Sequence, residues 1–283
     1  MTSDGQPDQD VASSLDALLK SRYGTVLSAT DHFNSTIETL LRHRSIRGYA
    51  DKRLAPNTLE LLIAAAQSSS TSSNLQTWSV IAVEDAERKD RLARLSGDQQ
   101  HIRACPLFLV WLADLARLDA LGARLEHERD SLNYLEMLLV AVIDASLAAQ
   151  NAAVAAESLG LGIVYIGGIR NYPEKVAAEL NLPPRTFGVF GMCIGHPDSA
   201  QPTAIKPRLA QSAVLHREQY DPAAIDRSAD AYIATMVNFY REQGMKTKGA
   251  WDLHSLNRVR GPDAMQGRER LRDALEILGF AAR

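Results

Sequence analysis

Five short segments carry residue types that could do chemistry. His43-Arg44-Ser45-Ile46-Arg47 sets two arginines and a hydroxyl at a helix end. Arginine makes planar, bidentate contacts to phosphate, and serine adds a neutral donor. The same residues also suit a solvated helix end, where cations favour the macrodipole. Ser72-Ser73-Asn74-Leu75-Gln76 offers hydroxyls and amides to a polar ring edge or a phosphate, or is simply a polar loop. Gly97-Asp98-Gln99-Gln100-His101 is a turn whose side-chain amide could serve a polar heterocycle. Tyr165-Ile166-Gly167-Gly168 ends an apolar run, and paired glycines let backbone N–H groups approach a flat ligand or just form a tight turn. In Lys206-Pro207-Arg208, proline fixes the backbone between two cations, so both can face one anion, or the tripeptide is merely exposed. Each signal is weak alone. The five together, in this order, are stronger.

Other chemistries lack their residues. There is no Gly-x-Gly-x-x-Gly fingerprint, no phosphate-loop Gly-x-x-x-x-Gly-Lys and no Gly-x-Ser-x-Gly elbow. The seven histidines are scattered, with no pair at metal-ligand spacing, so no metal is expected. Cys105 and Cys193 make neither a disulfide framework nor a zinc site, which suits a reducing, cytoplasmic setting. With 31 Lys+Arg against 34 Asp+Glu, the net charge of −3 argues against a nucleic-acid partner. A local basic site for phosphate survives that average.

The elements that must position these residues read as α+β: helices flanking a four- or five-stranded mixed or antiparallel sheet. The acidic, polar residues 1–10 read as a mobile tail and not as a secretory signal. A short helix is expected over 11–22, on Val11, Leu15, Leu18 and Leu19. A second starts at the capping box Ser35-Thr36-Ile37-Glu38, with Ile37, Leu40 and Leu41 on one side. Asn57 caps a third, running to about Ala66. Strands are predicted at 78–83, 107–113, 162–166 and 187–194, the second buried on both faces. Helices are predicted at 86–96, 115–129, 132–159, 173–180, 222–243 and 263–278. The stretch 137–159 is long enough to raise the membrane question, but it holds Asp144, Gln150, Asn151 and Glu157. It reads as a buried, Ala-rich central helix ending at Gly160. A non-helical arm follows Pro197, marked by Pro202 and Pro207.

The chain resembles the FMN-dependent nitroreductase family over roughly residues 35–260, and within it the oxygen-insensitive NADPH nitroreductases and NADPH–flavin oxidoreductases. The stretch from Asp144-Ala145-Ser146 through Glu157-Ser158-Leu159-Gly160-Leu161-Gly162 to Tyr165-Ile166-Gly167-Gly168-Ile169-Arg170-Asn171 carries the likeness. Phe190-Gly191-Met192-Cys193-Ile194-Gly195-His196-Pro197 and Lys206-Pro207-Arg208-Leu209 extend it. The resemblance implies a single FMN-binding domain over 35–283, with 1–34 as an extension that has no counterpart. It implies a homodimer built on the long helix, with exchanged C-terminal arms. It also implies that Arg44, Ser45, Lys206 and Arg208 hold the FMN phosphate and that Arg47 stands near the pyrimidine edge. His43 matches the family's histidine. Ser72, Ser73, Gln76 and Gln99 would bond the polar edge and ribityl chain, with Tyr165, Ile166, Gly167 and Gly168 against the ring.

By the same resemblance, NADPH reduces the flavin, leaves, and is replaced by a small-molecule acceptor such as a nitroaromatic or quinone. That is a ping-pong cycle in which no side chain is a covalent catalyst. The chain also departs from the family. Gln243 stands where an arginine is expected for the NADPH 2′-phosphate, leaving Arg241, Lys246 or Lys248 to serve, so NADH is also a candidate donor. Asp98 stands where relatives tend to have glycine, and its charge could alter acceptor choice. Two alternatives stay open: a flavin reductase supplying reduced FMN to a partner, and a non-enzymatic flavin-binding protein. No membrane association is expected.

Overall fold

Every side chain in Leu107-Phe108-Leu109-Val110-Trp111-Leu112 is apolar, and the run is buried on both faces in the middle of a sheet. The computed structural model describes residues 9–24, 33–201, 203–281 and 283. Residues 1–8 of the expected tail, and Pro202, lie outside the described residues; Gln9 and Asp10 open the first helix. In chain order the elements are α1 (Gln9–Tyr23), α2 (Ser35–Arg42), α3 (Thr58–Gln67), β1 (Trp78–Val83), α4 (Ala86–Leu95) and α5 (Gln100–Ala104). Next come β2 (Leu107–Asp114), α6 (Ala116–Arg124), α7 (Leu135–Ser158), β3 (Gly162–Ile166), α8 (Pro173–Glu179) and β4 (Thr186–Gly195). The chain ends with α9 (Ala229–Glu242), α10 (Trp251–Val259) and α11 (Leu271–Ile277). The described residues fall into two compact units: those up to Arg44 together with 203–260, and 45–202 together with 261–283.

The second unit contains a four-stranded sheet in the order β1-β2-β4-β3. All three pairings are antiparallel, so the sheet is not mixed; among the described residues the parallel contact is the isolated bridge Ser45–Ile163. Leu107, Leu109 and Trp111 face α3 and α7, packing on Leu62, Ala66 and the alanines 148, 149, 152, 153 and 156. Phe108, Val110 and Leu112 face the other way, onto Leu92, Ala93 and Val176 of α4 and α8. Fully burying each such leucine contributes about 1.5–3 kcal/mol. α7 is long and apolar enough to cross a membrane by composition, yet half of it is buried inside the protein. The Ala-rich face does what small residues allow, bringing the helix close to the sheet. It ends as expected: Gly160 takes φ +75°, and the Leu161 N–H returns to the Ala156 carbonyl.

The first unit holds α1, α2, α9 and α10. Leu15, Leu18 and Leu19 of α1 are buried as expected, whereas the Val11 side chain lies outside the described residues. Tyr232, Met236 and Tyr240 of α9 pack with Leu209 and Trp251.

Several sequence expectations are corrected. Asn34, not Ser35, caps α2: its Oδ1 accepts from the Ile37 N–H at 3.0 Å, which displaces the capping box by one residue. Ile37 and Leu40 of that helix are exposed. Asn57 sits at the cap of α3 but in the left-handed region at φ 62°, with no side-chain bond. The helix expected over 222–243 starts at Ala229, because Asp221 holds the preceding turn through the Ala223 N–H and Arg227. The helix expected over 263–278 is broken by Gln266 and Gly267 at φ 58° and 92°, leaving only α11 regular. α5 and α10 were not foreseen.

Candidate functional site

In the first unit, the chain leaves α2 at His43, so Arg44 follows directly on a helix end and is exposed. Lys206 and Arg208 are exposed on either side of buried Pro207. The Pro207 carbonyl accepts from the buried Tyr232 hydroxyl at 3.1 Å. One guanidinium links the two segments: Arg22 donates to the carbonyls of His43 at 2.9 Å and Lys206 at 3.0 Å. The three cations named from the sequence are thus mounted on backbone tied to one buried group. Among the described residues, Arg44 and Arg208 have no ion-pair partner. Exposed, unpaired cations on fixed backbone suit an anion such as a phosphate.

In the second unit, residues 45–49 run beside β3. The Ile46 N–H donates to the Ile163 carbonyl at 2.9 Å, and the Tyr49 hydroxyl to the Ile46 carbonyl at 2.8 Å. Ser45 is half-buried and Arg47 exposed. At the far end of β3, Gly167 and Gly168 enter a tight helical turn. A Cβ on Gly168 would stand 2.3 Å from the Ser96 carbonyl oxygen and 2.8 Å from the Gln99 amide nitrogen. Only glycine fits, and the turn at 96–99 meets the glycine pair. Gln99 donates to the Ser96 carbonyl at 2.6 Å. Two polar atoms of this segment, Ser96 Oγ and His101 Nε2, are buried without a hydrogen-bond partner. Burial, aided by Arg47, holds His101 below the ordinary histidine range. Asp98 is paired with Arg103, which also binds Asp90, so its charge is partly compensated. Tyr165 is half-buried, stacked edge-on against Phe190 at 5.2 Å, with its hydroxyl 3.3 Å from Gln150 Oε1.

The hydroxyl-rich loop is held from beneath by Asp144 of α7, which is fully buried. Its carboxylate accepts from Thr71 Oγ1 at 2.6 Å, the Ser72 N–H at 3.1 Å, and the N–H and hydroxyl of Thr77, both at 3.0 Å. Ser73, Asn74 and Gln76 lie in the left-handed region at φ 47°, 55° and 52°. Three such residues without glycine are costly, and the Asp144 bonds supply the over-determination that keeps them there. Arg117 adds a bond to the Gln76 carbonyl at 2.7 Å. Ser72, Ser73 and Gln76 are left exposed. A cleft of about 700 Å³ along residues 50–60 contains none of the site candidates.

Comparison with known proteins decides the family. The sequence profile of the nitroreductase family matches residues 40–196, and that of its C-terminal domain matches residues 206–283. The chain belongs to the nitroreductase family. The FMN reductase (NADPH) of Bacillus subtilis is 40% identical over 251 residues, covering 87% of this chain and 98% of the relative. The NADPH-flavin oxidoreductase of Vibrio harveyi is 35% identical over 251 residues, covering 88% of this chain and 100% of the relative. The structure of the nitroreductase NfrA1 from B. subtilis superimposes with a TM-score of 0.82 at 38% identity, covering 88% of this chain and 100% of that one.

Within this nitroreductase fold, the donor set fits FMN in two respects. Arg44 and Arg208 of the first unit, exposed and without an ion-pair partner among the described residues, suit its phosphate. In the second unit, the backbone at Gly168 and the exposed loop amides and hydroxyls suit a flat ring with a polar edge. The NADPH-phosphate candidates Arg241, Lys246 and Lys248 are all exposed, at the end of α9 and just beyond the Gly244 turn. Arg241 is held by Asn238 Oδ1 at 3.0 Å. Sequence reasoning missed Arg22 and Asp144 as organising residues, and Arg268 as a neighbour of the glycine pair. Arg268 Nη1 stands 3.9 Å from the position a Gly167 Cβ would take, and its charge, after burial, helps lower the Arg170 pKa. Asp144 had a readable signal, a carboxylate inside the most apolar helix. Arg22 and Arg268 had none.

Proposed function

We propose that this chain is an FMN-dependent NAD(P)H oxidoreductase that reduces nitroaromatics, quinones or related small acceptors in a ping-pong cycle. The observation that carries this reading is the set of exposed cations, Arg44, Lys206 and Arg208, on backbone pinned to Arg22. FMN, when bound, supplies hydride acceptance from the nicotinamide and two-electron delivery to the acceptor. The protein's work is binding and electrostatics. Arg44, Lys206 and Arg208, with Ser45 as neutral donor and His43 beside them, bind the phosphate. Arg47 places a fixed cation by the pyrimidine edge, where negative charge develops on reduction. Ser72, Ser73, Gln76 and Gln99 hold the polar edge and ribityl chain, and Tyr165, Ile166, Gly167 and Gly168 lie against the ring. Arg241, Lys246 and Lys248 are assigned to the NADPH phosphate, with NADH as an alternative donor.

The reading includes a cytoplasmic homodimer. Its support is a stripe on the outer side of α7: Leu135, Leu139, Ile143 and Leu147 recur every four residues and are 47%, 48%, 54% and 42% exposed. Such an apolar stripe asks for a covering partner. A second reading, a flavin reductase that releases reduced FMN to a partner, is favoured by the names of the B. subtilis and V. harveyi relatives.

The deciding experiment is anaerobic reduction of the protein-bound flavin by NADPH and by NADH in parallel. Bleaching of the oxidised flavin band with NADPH, faster than with NADH, is expected. A colourless protein that takes up no FMN overturns the reading. FMN binding without reduction by either nucleotide makes the chain a flavin-binding protein. Turnover that requires added free flavin selects the second reading. In the double variant Arg44→Ala/Lys206→Ala, FMN retention through gel filtration should be lost; normal retention overturns the phosphate assignment.

A further inference from the structure

α1 lies before residue 40, where the family profile begins, yet its last turn is the hub of the first unit. The Arg22 side chain makes contacts across both segments that carry the phosphate cations. Nη2 donates to the carbonyls of Leu41 at 2.8 Å and His43 at 2.9 Å, and Nη1 donates to Lys206 at 3.0 Å. The main chain joins in: the Arg208 N–H donates to the Arg22 carbonyl at 2.8 Å. Arg22 is only 5% exposed, and Leu15, Leu18 and Leu19 bury the rest of the helix face. This is not a surface cation waiting for solvent.

The electrostatics give the arrangement a purpose. Leu41 and His43 close the C-terminal end of α2, where unpaired carbonyls carry partial negative charge. An anion beside such an end is repelled. A planar guanidinium can reach three carbonyls at once, cancelling that field and fixing the directions in which Arg44 and Lys206 leave the backbone. A lysine, as a point charge, cannot hold the same three directions.

We propose that α1 is a built-in part of the cofactor-phosphate site and that Arg22 is its positioning residue. The proposal rests on the FMN reading above. It predicts an effect specific to the phosphate, since the Arg22 side-chain bonds described above brace the two segments that carry the phosphate cations. The test compares FMN with riboflavin, the same ring system without the phosphate, binding to apoprotein by quenching of flavin fluorescence. Wild type, Arg22→Ala and Arg22→Lys are measured, with folding checked by thermal melts.

For Arg22→Ala, FMN affinity should fall about tenfold or more while riboflavin affinity changes less than about twofold. Arg22→Lys should recover only part of the loss, and it carries the same test should the alanine variant not fold. An equal fall for both flavins reduces Arg22 to general scaffolding and overturns the proposal. So does FMN preference kept intact in both variants, which leaves the cofactor reading standing. A wild-type protein that binds the two flavins equally overturns the phosphate site itself, and this proposal with it.

Discussion

Asp144 shows how one buried carboxylate fixes a loop 70 residues away in sequence. Its four accepted bonds satisfy Thr71, Ser72 and Thr77 and hold the strained backbone between them. Removing it strands those donors in a buried setting, at about 1–3 kcal/mol for each one left without water. Asp144→Ala should therefore destabilise the protein by roughly 3 kcal/mol or more in urea unfolding, and Asp144→Asn by less, because an amide oxygen still accepts. A change under about 0.5 kcal/mol for the alanine variant would show that the loop holds itself. His101 offers a pH test. Burial, then Arg47, depresses its pKa below the ordinary 6.5, so the folded state resists protonation that the unfolded state accepts. The stability tied to the neutral ring is complete above pH 6.5 and declines as pH falls from there toward the folded value. Relative to His101→Gln, the wild type should lose stability more steeply below that pH, and Arg47→Ala should raise the His101 NMR titration point. Parallel curves would contradict the burial argument. The types of these site residues were readable, since hydroxyls, amides and arginines declare their chemistry. What was not readable was which of them faced inward: Gln99 turns one amide N–H to the Ser96 carbonyl, a bond that depends on the turn's shape.

At the scale of elements, α7 has two jobs that one sequence pattern records. Its alanine face lies on the sheet, and the stripe at residues 135, 139, 143 and 147 faces away. Ile143→Lys places a charge in the stripe's middle. If the stripe is a dimer seam, burying that unpaired charge should weaken self-association about 100-fold or more, read by sedimentation equilibrium. An unchanged dissociation constant would remove α7 from the seam. The strands were the most legible elements: Trp78–Val83 and Gly162–Ile166 fall where the sequence places them, because short apolar runs bounded by polar or glycine residues leave little freedom. The C-terminal helices were not. Between 222 and 278 the breaks come from Asp221 bonding its own turn and from left-handed Gln266 and Gly267, while hydrophobic periodicity runs straight through them. The break at Asp221 is a side-chain-to-backbone bond, a kind of interaction that a periodicity reading does not contain.

For the whole molecule, the net charge of −3 and the cation set make opposite demands on an anionic ligand. The overall field mildly repels a phosphate dianion at long range, and Arg44, Lys206 and Arg208 attract it at short range. Salt separates the two flavins by this difference. At 0.1 M ionic strength the screening length is about 10 Å, and at 1 M about 3 Å, so exposed cations lose most of their hold on a phosphate. Ring contacts are apolar and hydrogen-bonded and change little. Ligand at 100 times its dissociation constant stabilises the folded state by about 2.7 kcal/mol. For a chain of this length that is a rise in Tm of roughly 5 °C. FMN should give a shift of that order at low salt, shrinking toward the riboflavin value as salt is raised to about 1 M. The riboflavin shift itself should stay nearly constant, and the Arg44→Ala/Lys206→Ala variant should show the small, salt-insensitive shift at every concentration. If both flavins lose their shifts in step, salt is acting on the fold or the ring contacts, and the phosphate cations do not govern cofactor binding.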